Sequence, residues 1–125
     1  MILADTDVVI DYLNGIDPIE RRVRDYIQSD SLQITAVSCF ELLSGARKDK
    51  RGEKVRSFVA AISVISLDLE SAARAAAVRQ ALDDGGFSIG MADCLIAGIA
   101  LAHGLALFTR NRKHFERIEK LNLVP

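Results

Sequence analysis

The sequence Gly85-Gly-Phe-Ser-Ile-Gly-Met-Ala-Asp-Cys-Leu-Ile-Ala-Gly-Ile-Ala-Leu-Ala-His-Gly-Leu-Ala-Leu-Phe-Thr109 contains a single fully charged side chain, Asp93. The other residues are typical of a protein interior and predict a buried helix that ends near Gly104, followed by a buried strand. An ionised carboxylate removed from water costs several kcal/mol of folding free energy unless a partner compensates it. Because this segment has no Lys or Arg, Asp93 either caps a helix at the surface or faces a polar cleft and a cation.

Composition and charge restrict the class of protein. The chain has 125 residues, 50% of them hydrophobic, which predicts one domain over residues 1–125 with its own core. The net charge is −1, so contacts with nucleic acid would need local basic patches. The distant Cys39 and Cys94 indicate reduced thiols. The apolar runs are shorter than a membrane span, and Asp5 and Asp7 stand where a secretory signal would be basic. We expect a cytoplasmic protein without membrane contact.

Short apolar runs alternate with longer helical patterns, which predicts the α/β class with helices covering a central parallel sheet of four to five strands. The predicted strands are Met1–Ala4, Leu32–Thr35, Ser63–Leu67 and Leu105–Thr109, with a short edge at Asn122–Val124. The predicted helices are Thr6–Asn14, Pro18–Ser29, Ser38–Arg47, Lys50–Ala61, Leu69–Leu82 and Gly90–His103.

Four polar side chains occupy equivalent places in this pattern. Asp5 directly follows the first strand, and Glu41 lies in the first helical turn after the second. Asp93 lies near the start of the buried helix, and Asn111 comes just after the fourth strand. The carboxyl ends of parallel strands share one edge of a sheet, where ligands bind. Three carboxylates at that edge would repel one another without a cation, and oxygen ligands favour Mg²⁺ or Mn²⁺.

Helix capping is the simpler interpretation for three of these positions. Asp5 precedes the helix at residue 6, Glu41 has capping-box spacing from Ser38, and Asn111 precedes a possible helix over residues 112–120. Asp93 does not fit this interpretation, because residues 88–90 already offer a helix start. The conjunction of all four positions therefore favours a metal site.

Residues adjacent to these four have their own predicted roles. Thr6 and Thr109 are expected to hydrogen-bond the carboxylates and fix their rotamers. Asp7, in the first turn of the first helix, is expected at the outer shell of the metal, whereas Asp11 is expected to be solvated. His114 receives no role, because no Ser or Cys is placed to form a catalytic triad with it.

Basic residues cluster twice beside the predicted cleft. Six positive charges fall within ten residues of the sequence Arg47-Lys-Asp-Lys-Arg-Gly-Glu-Lys-Val-Arg56. A second cluster surrounds Asn111 and consists of Arg110, Arg112, Lys113, His114 and Arg117. Such runs usually form a solvated face of mixed charge, here with Asp49 and Glu53. Their position beside the cleft favours contacts with phosphate, which position a nucleic acid without reading its sequence.

Four motifs together resemble the PIN-domain ribonucleases, and among them most of all the VapC-type toxins of toxin–antitoxin pairs. The motifs are Ile2-Leu-Ala-Asp-Thr-Asp-Val-Val-Ile-Asp-Tyr-Leu13, Ser38-Cys-Phe-Glu-Leu-Leu-Ser-Gly45, Gly90-Met-Ala-Asp-Cys-Leu-Ile-Ala97 and Phe108-Thr-Arg-Asn-Arg-Lys-His-Phe115. They cover essentially the whole chain in the order and spacing of that family.

The resemblance implies a three-layer α/β/α PIN-like fold and an endoribonuclease that acts on RNA with Mg²⁺ or Mn²⁺. It also implies a homodimer and neutralisation by a cognate antitoxin protein. Asp5, Glu41 and Asp93 match the acidic metal site of the family. Asn111 falls near the fourth site position, which is acidic in many relatives, so that this cleft carries one negative charge fewer.

Two other functions fit parts of the same pattern. Asp5-Thr-Asp-Val-Val9 matches the opening of the haloacid-dehalogenase-like phosphatases, in which Asp5 would be a nucleophile and Asp7 an acid/base. That interpretation leaves Glu41 and Asp93 without a role and lacks a clear catalytic Lys motif. A non-catalytic PIN-like binding domain would instead use the acidic cleft to accept a basic peptide. RNA binding without cleavage across a titration of Mg²⁺ and Mn²⁺ would favour this third possibility.

Overall fold

The centre of the fold is a sheet of four parallel strands, seen in a computed structural model that describes all 125 residues. The strands are β1 (Ile2–Ala4), β2 (Leu32–Thr35), β3 (Ser63–Ile65) and β4 (Ala106–Phe108), and their order across the sheet is β3-β2-β1-β4. The predicted parallel sheet is confirmed. The possible fifth strand is reduced to an isolated bridge between Leu107 and Leu123.

Six helices connect the strands and a seventh follows the last strand, and the six helices predicted from the pattern are all present. They are α1 (Thr6–Leu13), α2 (Ile19–Gln28), α3 (Ala36–Gly45), α4 (Lys50–Ala61), α5 (Leu69–Asp84), α6 (Met91–His103) and the short α7 (Arg112–Phe115). None of them combines the length and the apolar character needed to cross a bilayer.

Helix α3 begins two residues earlier than predicted, because Thr35 rather than Ser38 is its cap. The Thr35 hydroxyl oxygen accepts a hydrogen bond from the Ser38 amide over 3.0 Å. The expected capping box between Ser38 and Glu41 is therefore wrong. Glu41 lies in the second turn of α3, not the first, and its carboxylate is free for other contacts.

Helices cover both faces of the sheet and give it two separate apolar cores. On one face, Leu3 and Leu107 pack against a cluster that includes Ile96 and Ile99 of α6. On the other face, the next residues along the same strands, including Phe108, pack against α1, α2 and α4. This alternation follows from the two-residue period of a strand. The three-layer α/β/α architecture is confirmed.

Close packing of α5 on α6 depends on Gly98, which lies in the middle of α6. A Cβ atom at this position would collide with the backbone carbonyl oxygen of Ser71 and would lie 2.7 Å from the Cβ of Ala75. The two helices can approach this closely because neither presents a large side chain at the crossing. Helix α6, which carries Asp93, is positioned by this contact.

Gly98→Ala should lower the free energy of unfolding by about 1–3 kcal/mol, the usual cost of overpacking a core. The reason is that the obstructing atoms are backbone atoms and the Cβ of Ala75, none of which can rotate away. Urea denaturation would measure the change. Gly45→Ala is the matched control, because nothing lies within 4 Å of its added Cβ. Equal stability of both variants would contradict the packing argument.

Candidate active site

The order of the strands brings the candidate site residues to one edge of the sheet. Strand β1 lies between β2 and β4, so that the chain order reverses at β1. In parallel sheets such a reversal opens a crevice at the carboxyl ends of the strands. Asp5 follows β1, α3 follows β2, and Thr109 follows β4 at this edge. Helix α6 adds Asp93 from its first turn.

Asp5 is the most buried of the four predicted site residues, with 5% of its surface exposed. One carboxylate oxygen, Oδ1, accepts a hydrogen bond from the Thr6 amide over 2.8 Å and caps α1. The other, Oδ2, accepts from the Thr109 hydroxyl over 2.7 Å. The predicted capping role is confirmed, and it coexists with a bond across to the end of β4.

Glu41 is exposed and reaches the same edge from α3. Its Oε1 atom accepts a hydrogen bond from the Thr6 hydroxyl over 2.6 Å. The Thr6 Oγ1 atom also lies 2.9 Å from the Ser38 Oγ atom. Thr6 therefore bonds Asp5 through its amide and Glu41 through its hydroxyl, so that one residue holds two carboxylates.

Asp93 and Asn111 meet through His114. The Nδ1 atom of His114 lies 2.6 Å from Asp93 Oδ2 and 2.8 Å from Asn111 Nδ2. One ring nitrogen cannot donate to a carboxylate and accept from an amide at the same time, so Asp93 and Asn111 compete for it. The Asn111 side chain does not cap α7, and the capping interpretation is wrong for that residue.

All four predicted site residues thus belong to one chain of polar contacts, in which Asp93 and Asn111 compete for the His114 nitrogen. The Thr109 hydroxyl, which donates to Asp5, also accepts from the Asn111 amide over 3.0 Å. The chain of contacts runs through Glu41, Thr6, Asp5, Thr109, Asn111, His114 and Asp93. Thr6 and Thr109 have the supporting contacts that were expected of them.

His114 is the residue in this network that sequence reasoning missed. The sequence placed it in the basic cluster around Asn111, and it received no catalytic role because no Ser or Cys was placed to form a triad with it. The available signal was its spacing from Asn111, since residues three apart on a helix share a face. The contact with Asp93, which is 21 positions away, has no such signal in the sequence.

Asp11 was expected to be solvated, and this expectation is wrong. Only 7% of its surface is exposed, and its Oδ2 atom lies 2.7 Å from Nε of Arg110. The Arg110 amide also donates to Asp7 Oδ2 over 3.2 Å. Arg110 thereby joins the end of β4 to two carboxylates on α1. The second oxygen of Asp7, Oδ1, is buried and has no hydrogen-bond partner.

The charge at this edge is incompletely compensated. The pKa of Asp5 is raised from 3.8 to about 6, chiefly because the carboxyl group is buried. The nearby Asp7 and Asp93 carboxylates contribute to this rise, and the hydrogen bonds from Thr109 and Thr6 oppose it. Burial also raises the pKa of Asp7, and this effect outweighs the opposing charge of Arg110. Each carboxylate is costly to ionise because it lies out of water among other carboxylates.

The donor set fits a divalent cation, although the side chains as they stand do not form a ready metal cage. No three His, Cys, Asp or Glu groups are arranged to hold a metal ion, since Asp93 is bonded to His114 and Glu41 to Thr6. The donors are carboxylate and amide oxygens, which suit Mg²⁺ or Mn²⁺. The unpartnered Asp7 oxygen and the raised pKa of Asp5 show the electrostatic need that a cation would meet.

Known proteins resemble this chain in both sequence and fold. The chain is 30% identical over 120 residues to the tRNA(fMet)-specific endonuclease VapC of Shigella flexneri, covering 93% of this chain and 90% of that protein. It is 33% identical over 121 residues to ribonuclease VapC10 of Mycobacterium tuberculosis, covering 97% and 90%. Its fold matches a chain in the crystal structure of VapBC2 from Rickettsia felis bound to a DNA fragment from its promoter. The TM-score is 0.84 at 27% identity, and the match covers 99% of this chain and 98% of that chain. The family model described as "PIN domain" matches residues 2–121, and the chain belongs to the PIN-domain family.

Proposed function

We propose that this protein is a VapC-type endoribonuclease that hydrolyses RNA phosphodiester bonds with the help of Mg²⁺ or Mn²⁺. The observation that carries the proposal is the network that gathers Asp5, Glu41, Asp93 and Asn111 at the switch point of the sheet. Relatives named as ribonucleases over nearly the full length of the chain support the same reaction.

Asp5, Glu41 and Asp93 are the residues that would hold the cation. When bound, the cation would neutralise charge on the phosphate and make a water molecule more acidic. Thr109 and Thr6 fix the orientation of Asp5 and Glu41 through their hydroxyl groups. The contacts of Asp93 with His114 and of Glu41 with Thr6 compete with a cation for the same oxygens.

The more accessible groups of the site can transfer protons and orient the substrate. Glu41 is exposed and Asp93 partly so, and either carboxylate can accept the proton of the attacking water. Asn111 is exposed as well, and its amide can donate a hydrogen bond to a phosphate oxygen. Asp5 is too buried to contact the substrate, and its proposed role is to hold the cation.

The biological role that follows is that of a toxin neutralised by a cognate antitoxin protein in the cytoplasm. Solved structures of similar fold are VapBC complexes from Rickettsia felis and Salmonella typhimurium. The two cysteines are unpaired, which suits a reducing compartment. The acidic cleft would accept a basic side chain of the antitoxin in place of the cation.

We also propose a homodimer that forms through an apolar groove beside the site. The groove has a volume of about 360 Å³ and is lined by residues of α3, α6 and the β3–α5 connection, chiefly Phe40, Leu67, Met91 and Leu95. Phe40 is 72% exposed and Met91 64%, which is unusual for side chains of this size outside an interface. A second copy of the chain is the occupant that the family resemblance implies.

The two alternative functions make different demands on the site. Membership of the PIN-domain family argues against the haloacid-dehalogenase interpretation, which also leaves Glu41 and Asp93 unused. A non-catalytic binding domain remains the outcome if RNA is bound but never cut.

Asp93→Asn should lower the rate of RNA cleavage by at least about 100-fold, because changing a residue that merely supports a metal ligand already costs about 10–100-fold. Cleavage of a labelled RNA in Mg²⁺ and in Mn²⁺ would measure the rate, and circular dichroism would verify the fold. Asp84→Asn makes the same chemical change at an exposed position outside the site and should leave the rate unchanged. A wild-type rate in Asp93→Asn would refute the site.

Asp5 should make the metal-free protein less stable as the pH rises, which is the reverse of the usual effect of a carboxylate with a lowered pKa. Because its pKa rises from 3.8 in the unfolded chain to about 6 in the fold, the folded protein binds the proton more tightly across that interval. The free energy of unfolding is therefore highest below this interval and falls as the pH rises through it, by up to about 3 kcal/mol from this group.

Urea denaturation in EDTA at several pH values would compare wild type with Asp5→Asn. The difference in unfolding free energy, wild type minus variant, should decrease as the pH rises from about 4 to about 7. Adding Mg²⁺ or Mn²⁺ at neutral pH should stabilise wild type more than the variant. Parallel curves for the two proteins would contradict the assignment.

Phe40→Glu should convert the dimer to a monomer, because it buries a charge in an apolar contact. Light scattering coupled to size-exclusion chromatography would measure the mass. Ile16→Glu is the control, since Ile16 is also exposed but does not line this groove. A dimer that survives Phe40→Glu would place the interface elsewhere.

A further inference from the structure

Two grooves meet at Arg51 and lead away from the acidic site. The proximal groove has a volume of about 420 Å³, begins at Glu41 and is also lined by Arg47 and Arg51. The distal groove has a volume of about 760 Å³ and is lined by Arg51, Lys50 and Lys54 on one side and by α1 and α2 on the other. Because Arg51 lines both, they form one path along the surface.

The basic side chains of residues 47–56 are exposed and none of the six forms an ion pair. The five ion pairs of the protein all involve other cations. The two carboxylates of the segment, Asp49 and Glu53, form no ion pair with these cations and leave the segment with a net charge of +4, six cations against two carboxylates. The Oδ1 atom of Asp49 accepts a hydrogen bond from the Gly52 amide over 2.7 Å and caps α4. Glu20, the acidic residue of the distal groove, is paired with Arg24 over 2.8 Å.

The path is built by the fold and is not a flexible basic loop. The chain before α4 lies against the first turn of the helix so closely that a Cβ at Gly52 would collide with the Arg47 carbonyl oxygen. That carbonyl also accepts a hydrogen bond from the Arg56 guanidinium over 3.2 Å. Lys54 follows Lys50 by four residues and Arg51 by three, so the three side chains share one side of α4.

The chemistry of this path selects a polyanion and excludes base stacking as the main contact. Uncompensated cations bind phosphate, and such contacts do not depend on base sequence. Tyr12, the aromatic residue of the distal groove, is engaged with Phe58 at a centroid distance of 5.8 Å. The acidic end at Glu41 repels phosphate unless a cation is bound, whereas the basic part attracts it at any time.

We propose that the proximal and distal grooves bind the phosphate backbone of the RNA substrate on one side of the bond that is cut. Arg51 and Lys54 are the phosphate contacts, and Arg51 sets the direction in which the strand leaves the site. This inference rests on the proposed function for the identity of the polyanion. The binding itself requires no catalysis and is measured separately.

The test measures binding of a fluorescein-labelled oligouridylate in EDTA by fluorescence anisotropy, with the double variant Arg51→Ala/Lys54→Ala. Loss of two phosphate contacts lowers the slope of log Kd against log salt by about 1.4 and weakens binding about 25-fold at 0.1 M salt. Arg74→Ala/Arg79→Ala removes the same charge from α5, on the opposite face of the sheet, and keeps the wild-type Kd and slope. Urea denaturation verifies that both double variants are folded.

A wild-type Kd and slope in Arg51→Ala/Lys54→Ala would overturn the proposal. An oligoglutamate of equal charge that binds as tightly as the oligouridylate, with the same dependence on Arg51 and Lys54, would also overturn it in favour of an acidic protein partner. Failure of this inference and of the proposed function are distinguishable. RNA that is cut normally but bound independently of Arg51 refutes the path alone, whereas RNA bound through Arg51 but never cut refutes the endoribonuclease assignment.

Discussion

The structure depends on one buried carboxylate at the end of the central strand. Asp5 caps α1 with one oxygen and accepts a hydrogen bond from the Thr109 hydroxyl with the other. A single side chain thus links the end of β1 to α1 and to the end of β4. These bonds do not fully offset its burial, and its pKa stays raised. A buried carboxylate with a raised pKa is typical of functional sites, and the proposed cation would offset the cost of ionising it.

The remaining acidic groups show how the protein tolerates this charge. Asp93 is bonded to His114, Glu41 to Thr6, and Asp11 to Arg110. Each bond offsets part of the repulsion among the carboxylates, and those to His114 and Thr6 occupy oxygens that a cation would need. His114 is central because it holds Asp93 while also facing Asn111. The affinity of the proposed metal site would thus be set by competition with these internal partners as well as by the number of negative charges.

Three surfaces of different character converge on Glu41. The acidic network lies at the sheet edge, the apolar groove around Phe40 lies on one side, and the basic path through Arg51 lies on the other. The proposed RNA path, the proposed dimer contact and the proposed cation site therefore all border one residue. Since α3 begins directly after β2, the cap formed by Thr35 determines which residues of that helix face each surface.

The sequence by itself determined the α/β class, the parallel sheet and the approximate bounds of the helices, because apolar periodicity and helix-ending glycines are local signals. It also pointed to Asp5, Glu41, Asp93 and Asn111, since residues after parallel strands must share an edge. Only the tertiary structure decided the cap at Thr35, the burial of Asp11 against Arg110 and the contact of His114 with Asp93. The last two features join side chains from distant parts of the chain, and a local pattern does not predict such contacts. The position of the cap depends on where β2 ends, which is set by its pairing with β1 and β3.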